Sequence, residues 1–232
     1  SRRLVGSLQA IYASNEEDCR RFQSLGWIDP DRVRIMGNVK FDVDITPELS
    51  EDRIDQWFQD FGFWQSTLST RRPLMILGSS TWSGEEEVLI RHYTKLRQQG
   101  FDVRLLIVPR HAERKSELKK LEQTFPELRI FFRTDYAIAP GPADIYIADT
   151  TGELRRFTEL ADIVFVGKTL PPHHEGQTPI EAAALGKPII SGPEMRNFRA
   201  VMKSLKADGI LRSASDADSL GLILEELLSH PE

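Results

Sequence analysis

The chain holds a single cysteine, Cys19, among 232 residues. One thiol in a charged stretch, NEEDCRR, excludes a disulfide framework and a paired-cysteine metal site, and it fits a reducing compartment. No apolar run approaches the ~18 residues of a membrane span, and no segment reads as a signal peptide. A basic stripe is also lacking: net charge is −5 with lysine and arginine dispersed, which excludes a nucleic-acid groove. No short-period repeat and no low-complexity tract interrupts the sequence. The chain opens SRRLVGSL without methionine, so a segment upstream of Ser1 is expected.

What is present is ordinary globular material. Hydrophobic residues make up 40% and charged residues 28%, near the averages of soluble domains. The length admits one large domain, or one domain with a fragment of another.

Residues 9–14 (QAIYAS) read as a strand, and NEEDCRRFQSLG as a helix capped by Ser14 or Asn15 and closed by Gly26. Residues 32–43 (RVRIMGNVKFDV) alternate as a second strand. A helix with Pro47 near its start follows, then a polar stretch, QSTLSTRR; residues 46–72 are read as a joint. From Pro73 a regular rhythm begins. Apolar runs (LMILGS, VRLLIVP, IFFRT, DIYIAD, DIVFVG, PIISG) alternate with amphipathic stretches at 84–99, 111–124, 152–160, 179–186, 195–206 and 216–229. That alternation predicts βα units and a Rossmann-like parallel sheet flanked by helices. The expected organisation is a segment 1–45, the joint 46–72 and a sheet domain 73–232. Parallel strands with right-handed crossovers carry all their carboxyl ends on one edge, which is where a ligand site is expected.

Three turns on that edge carry a hydroxyl and a glutamate three residues apart: Ser83 and Glu86, Thr150 and Glu153, Thr178 and Glu181. Each pair has capping-box spacing, and Pro179 falls at a first helical position that tolerates it. Spacing alone leaves open whether these glutamates start helices or accept hydrogen bonds from sugar hydroxyls. Three helix N-termini on one edge would pool amide donors for a phosphate or carboxylate. A fourth turn, VPRHAER, puts Arg110 at the edge, as a bidentate clamp for an anion or as a solvated surface residue. His111 beside it suits a cap equally. The His173–His174 pair has neither the spacing nor the acidic partner of a zinc motif, so no metal is expected. Lys40, in GNVKFD, reads as an exposed strand lysine or as a cation that neutralises a leaving group.

The ordered motifs GNVKFD, GSSTWSGEEE, VPRHAER, ADTTGELRRFTELADIVFVG and EGQTPIEAAALGKPIISGPEMRNF resemble the bacterial 3-deoxy-D-manno-octulosonic acid (Kdo) transferases across nearly the whole chain. These are two-domain GT-B glycosyltransferases of lipopolysaccharide inner-core synthesis. The resemblance implies that this chain is the C-terminal, donor-binding half of a GT-B fold, preceded by the last strand and helix of the N-terminal half. It implies an inverting transfer of Kdo from CMP-Kdo, with no cofactor, to a lipid A precursor at the cytoplasmic face of the inner membrane. The membrane anchor, the acceptor site and the base glutamate would all lie upstream, and the chain by itself would be inactive. By position, CMP contacts are expected from Pro109, Arg110, Thr151, Gly152, Glu153, Thr178, Pro179, Ile180 and Glu181, with Lys40 assisting charge stabilisation. The family usually has histidine where Trp82 stands, methionine where Thr151 stands, and a His-Asn pair where Gln177 and Thr178 stand. Two other readings remain open on the residues: a UDP- or GDP-sugar transferase or UDP-sugar epimerase of similar fold, and a non-catalytic nucleotide-binding or interaction domain.

Overall fold

The computed structural model describes residues 2–37 and 45–230. The chain divides into two compact units, Ser1–Ile45 and Thr46–Glu232.

The first unit holds helix α1 (Arg2–Gly6), strand β1 (Ile11–Ala13), helix α2 (Glu16–Gln23) and strand β2 (Val33–Ile35). The two strands pair in parallel, with Ile11 opposite Val33 and Ala13 opposite Ile35. Asn15 starts α2, its side chain accepting from the Asp18 amide at 2.8 Å. Ile11, Ala13, Cys19, Ile28 and Val33 form a small core. The expected strand 32–43 is seen as β2 over its first residues. Its continuation, with Lys40, lies outside the described residues.

The second unit opens with helix α3 (Glu51–Asp60) and alternates thereafter: β3 (Leu74–Thr81), α4 (Glu85–Gln98), β4 (Val103–Pro109), α5 (Lys115–Leu118), α6 (Lys120–Thr124), β5 (Ile130–Phe132), β6 (Ile145–Ile147), α7 (Leu154–Leu160), β7 (Ile163–Val166), α8 (Ile180–Ala184), β8 (Ile189–Ser191), α9 (Arg199–Ala207), β9 (Leu211–Ser213) and α10 (Ala217–Ser229). Seven strands form one sheet in the order β5-β6-β4-β3-β7-β8-β9, every pair parallel. The central strand β3 is buried on both faces, as its near-continuous apolar run requires. From β3 the chain builds outward through β4, then crosses back to β7 on the other flank. The carboxyl end of β3 is therefore the point where strand order reverses, and open α/β sheets offer a ligand crevice there.

Residues 46–72 fall within this unit and pack on it. Trp57, Phe58, Phe61 and Phe63 are buried. Phe61 stacks on Tyr146 at 4.5 Å, and Trp57 meets Phe157 edge-on at 5.4 Å; each such pair adds about 0.5–1.5 kcal/mol beyond area burial. The Glu159 carboxylate accepts from the amides of Glu48 and Leu49, both at 2.8 Å, and fastens the segment ahead of α3. The aromatic spacing in IDQWFQDFGFW turns what reads as a joint into a flank of the core.

The stretch expected as one helix at 111–124 breaks into a 3-10 turn (Ala112–Arg114) followed by α5 and α6. Strand β9, LRS, carries no apolar run and shows no period in the sequence. It forms because Leu211 and Ser213 take register against Ile189 and Ser191.

Candidate functional site

Two close backbone approaches shape the carboxyl edge. Gly167, just past β7, donates its amide to Ser79 O at 2.8 Å, and a Cβ on it would sit 2.3 Å from Ser80 O. At the end of β8, a Cβ on Gly192 would lie 1.7 Å from Thr169 O. The loop after β7 is thus pressed against the ends of β3 and β8, in contacts that only glycine permits.

Glu85 anchors this loop. Only 2% exposed in the first turn of α4, its carboxylate accepts four backbone amides: Trp82 at 2.9 Å, Lys168 at 2.8 Å, Thr169 at 2.8 Å and Leu170 at 3.0 Å. Burial raises its pKa above the usual carboxylate value, and the four donors pull against that rise.

None of the three pairs with capping-box spacing forms the box. Gly84, at φ 90°, occupies the N-cap of α4 and has no side chain to cap with. Ser83 instead donates to Glu117 at 2.7 Å, and Glu86 binds Arg114 at 2.8 Å. Before α7, Glu153 is itself the N-cap; the Thr150 hydroxyl donates to it at 2.7 Å, and Arg133 grips both its oxygens at 2.7 and 2.8 Å. Against burial, which pushes it up, Arg133 and Thr150 hold the Glu153 carboxyl below its ordinary value. Before α8 the N-cap is Pro179, and Thr178 Oγ1 accepts weakly from the Ile180 amide at 3.3 Å. Hydroxyl-to-glutamate spacing does not say where a helix starts, and a shift of one residue removes the box. The capping box that does form is Asp216 with Ser219, at α10.

Glu181 differs from the other glutamates. It is half-buried, and among the described residues its carboxylate has no hydrogen-bond or ion-pair partner. Burial pushes its pKa up, eased only by the more distant charge of Arg155. The cap reading of Glu181 is therefore displaced: the carboxylate is left available beside Thr178, Pro179 and Ile180.

Arg110 is exposed directly after β4, its amide donating to Thr81 O at 3.0 Å, and its guanidinium has no ion pair among the described residues. His111 contacts Glu113 at 3.1 Å and the Trp82 ring at 4.9 Å. Thr151 and Gly152 are exposed in the turn after β6, and Gly152 has φ 85°. The three helix N-termini on this edge are unequal. Helices α7 and α8 have seven and five residues, and the longer α4 carries Glu85, Glu86 and Glu87 in its first turn, which cancel its positive end.

Sequence reasoning missed Glu85, Arg133 and Lys168. Which residue of the EEE run turns inward depends on the first residue of α4, and Lys168 hides in a loop; its signal was a cation directly after the β7 run VFVG. Among the described residues no His, Cys, Asp and Glu group is arranged to hold a metal, and no helix is long and apolar enough to cross a membrane. A cleft of about 360 Å³ lies at the opposite, amino edge, lined by Arg72, Asp162 and Lys187 among others. Its Arg72 is already engaged by Glu51 at 2.7 Å and Asp55 at 3.2 Å, and Lys187 by Glu159 O at 2.9 Å.

An all-parallel sheet flanked by helices, with a strand-order reversal at β3, defines a Rossmann-like α/β domain, the C-terminal half of a GT-B fold. Solved structures agree on that fold: the C-terminal CMP-Kdo binding domain of WaaA from Acinetobacter baumannii (TM-score 0.66, 23% identity, 78% of this chain and 90% of that one) and a UDP-N-acetylglucosamine 2-epimerase (TM-score 0.58, 12% identity, 99% and 52%). No protein-family model matches the chain. The motif resemblance to Kdo transferases is borne out by curated relatives. The 3-deoxy-D-manno-octulosonic acid transferase of Haemophilus influenzae is 29% identical over 99% of this chain and 51% of its own length. That of Chlamydophila psittaci is 27% identical over 100% and 50%. A probable mitochondrial one from Arabidopsis thaliana is 30% identical over 67% and 35%. The chain spans about half the length of the curated relatives it matches over its full extent.

Proposed function

We propose that this chain is the donor-binding half of a Kdo transferase, taking CMP-Kdo at the carboxyl edge of its sheet. The observation that carries the reading is the free Arg110 and the free Glu181 on that edge, in a chain similar over its whole length to Kdo transferases. In the reaction, an acceptor hydroxyl of a lipid A precursor attacks the anomeric carbon of Kdo with inversion. The bond from that carbon to the phosphate oxygen breaks, and its electron pair leaves with CMP. A glutamate upstream of this chain takes the hydroxyl proton, at the cytoplasmic face of the inner membrane.

Within the chain, Arg110 neutralises the phosphate as charge develops on it, the kind of stabilisation that is worth most where water is excluded. Glu181 accepts from a ribose hydroxyl. Pro109, Thr151, Gly152, Thr178, Pro179 and Ile180 shape the seat. Glu153 has three of its four acceptor positions taken by Arg133 and Thr150, which leaves it one hydrogen bond to offer the nucleotide. Lys40, outside the described residues, keeps its proposed part in charge stabilisation. The chain alone binds nucleotide without transfer.

Calorimetric titration of CMP, UDP and GDP tests the reading. Selective CMP binding, weakened at least about tenfold by Arg110→Ala through loss of a charge-assisted contact, supports it. Preference for UDP or GDP sinks the CMP assignment, and no binding to any nucleotide sinks the enzyme reading.

A further inference from the structure

Trp82 and Lys168 are not absorbed by the reading above, and the structure joins them. Lys168 is the first loop residue after Gly167, beside the strand-order reversal, and its backbone sits at φ 59°. A side chain in that left-handed region carries steric strain that a glycine avoids, and such strain persists where the surroundings enforce it. Here both backbone groups are pinned: the amide donates to the buried Glu85, and the carbonyl accepts from Gly176 at 2.8 Å. The fold has no evident need of the lysine side chain, since glycine would make the same two hydrogen bonds without strain.

The side chain is nonetheless placed. Its ammonium lies 4.4 Å from the centroid of the Trp82 ring, within cation–π range. The indole is held in turn by His111, edge-on at 4.9 Å, and by His173 at 6.1 Å. With the ammonium over its ring and two imidazoles against it, Trp82 is a support for the cation and not a bare platform for a base. The nearest acid to the ammonium is Glu175, at 3.9 Å and on a side chain 48% exposed, a loose and solvated partner. Lys168 is thus a cation kept only a quarter exposed, with its charge largely unspent. Arg110 follows Thr81, the residue before Trp82, across one backbone hydrogen bond. The Trp82 segment thus adjoins two cations: Lys168, whose one ion pair is loose and solvated, and Arg110, which has none among the described residues.

We infer that Lys168 is the residue that recognises the carboxylate of the donor's sugar acid, with Trp82 as the positioning residue that aims it. The inference rests on the donor reading proposed above. One cation suffices for a nucleotide monophosphate, and a second matches a donor that carries a carboxylate on its sugar as well as the phosphate. The interaction is a charge-assisted hydrogen bond, ammonium to carboxylate.

The test is calorimetry on the whole chain with CMP and with CMP-Kdo as separate probes, alongside thermal melting. Lys168→Met and Lys168→Gly are expected to weaken CMP-Kdo binding by about tenfold or more while CMP binding changes less than about twofold. Lys168→Gly is expected to melt at or above the wild-type temperature because it relieves the left-handed strain. Trp82→Ala is expected to lose CMP-Kdo affinity, and Trp82→Phe, which keeps an aromatic face, to recover most of it. Equal loss for CMP and CMP-Kdo overturns the carboxylate assignment, because it puts the ammonium on the phosphate. No loss for either probe overturns any ligand role for Lys168. A wild-type chain that binds no cytidine nucleotide instead defeats the donor reading itself, a result told apart by the CMP titration of unmodified protein.

Discussion

Replacing Glu85 by glutamine isolates what this residue does for the edge of the sheet. The substitution keeps shape and removes the charge. In the native structure Oε1 takes the amides of Thr169 and Leu170, and Oε2 takes those of Trp82 and Lys168. Glutamine offers one oxygen and one NH2, so whichever way it turns, two buried amides face a donor. Each unsatisfied buried amide costs about 1–3 kcal/mol. Relief of a buried charge offsets part of that, and the raised pKa of Glu85 says that its burial is not fully compensated. The expected net loss is about 2–4 kcal/mol, a large share of the ~5–15 kcal/mol that holds a domain together. For a unit of this size that is roughly 5–15 °C in melting temperature. Urea unfolding followed by circular dichroism measures it, and amide exchange of residues 168–170 locates it. A loss below about 1 kcal/mol, with those amides still protected, would refute the reasoning, since it would mean that the two displaced donors find other partners.

At Gly192, alanine would place a Cβ 1.7 Å from Thr169 O, backbone against backbone, so Gly192→Ala is expected to melt far below wild type. Gly209→Ala is the control: at φ 74° with nothing within 4 Å, it should lose only the ~1–2 kcal/mol of left-handed strain, and equal melting of the two variants would contradict the packing argument. Glu181 yields a pH signature. Its folded pKa is raised by burial, so its contribution to stability is present at low pH and is lost as pH rises through that value; Glu181→Gln should therefore not lower the melting temperature at neutral pH. The same variant should weaken CMP binding by about tenfold. It should also flatten a fall in wild-type affinity as pH drops through the raised pKa, and an unchanged calorimetric profile would remove Glu181 from the ribose contact.

Much of the sheet was legible because its signals are local. LMILGS, VRLLIVP and VFVG are apolar runs bounded by turn residues, and runs buried on both faces read as central parallel strands. LRS at β9 was not legible, because a three-residue edge strand exists only through the partner it pairs with. In the same way IDQWFQDFGFW reads as an amphipathic helix and no more until Tyr146 and Phe157, distant in sequence, are brought against it. The candidate site divides along the same line. Arg110 and the glutamates at 153 and 181 could be named from their place after strand-like runs, since a parallel sheet collects such turns on one edge.

The sequence by itself determined the class of fold, the edge on which a ligand site is expected, and the family whose motifs it shares, all of which follow from residue type and spacing along one chain. Only the tertiary structure decided which carboxylate is free. Glu85, Glu86, Glu153 and Glu181 look alike on paper. Folded, one is consumed by four amides, one is tied by Arg114 and one mostly by Arg133 and Thr150, and Glu181 remains fully open. A side chain's availability is what its neighbours leave unused, and those neighbours stand tens of residues away in the chain. Lys168 is the same lesson with the opposite charge: a loop residue in sequence, and in the fold a cation aimed by an indole from another strand's end.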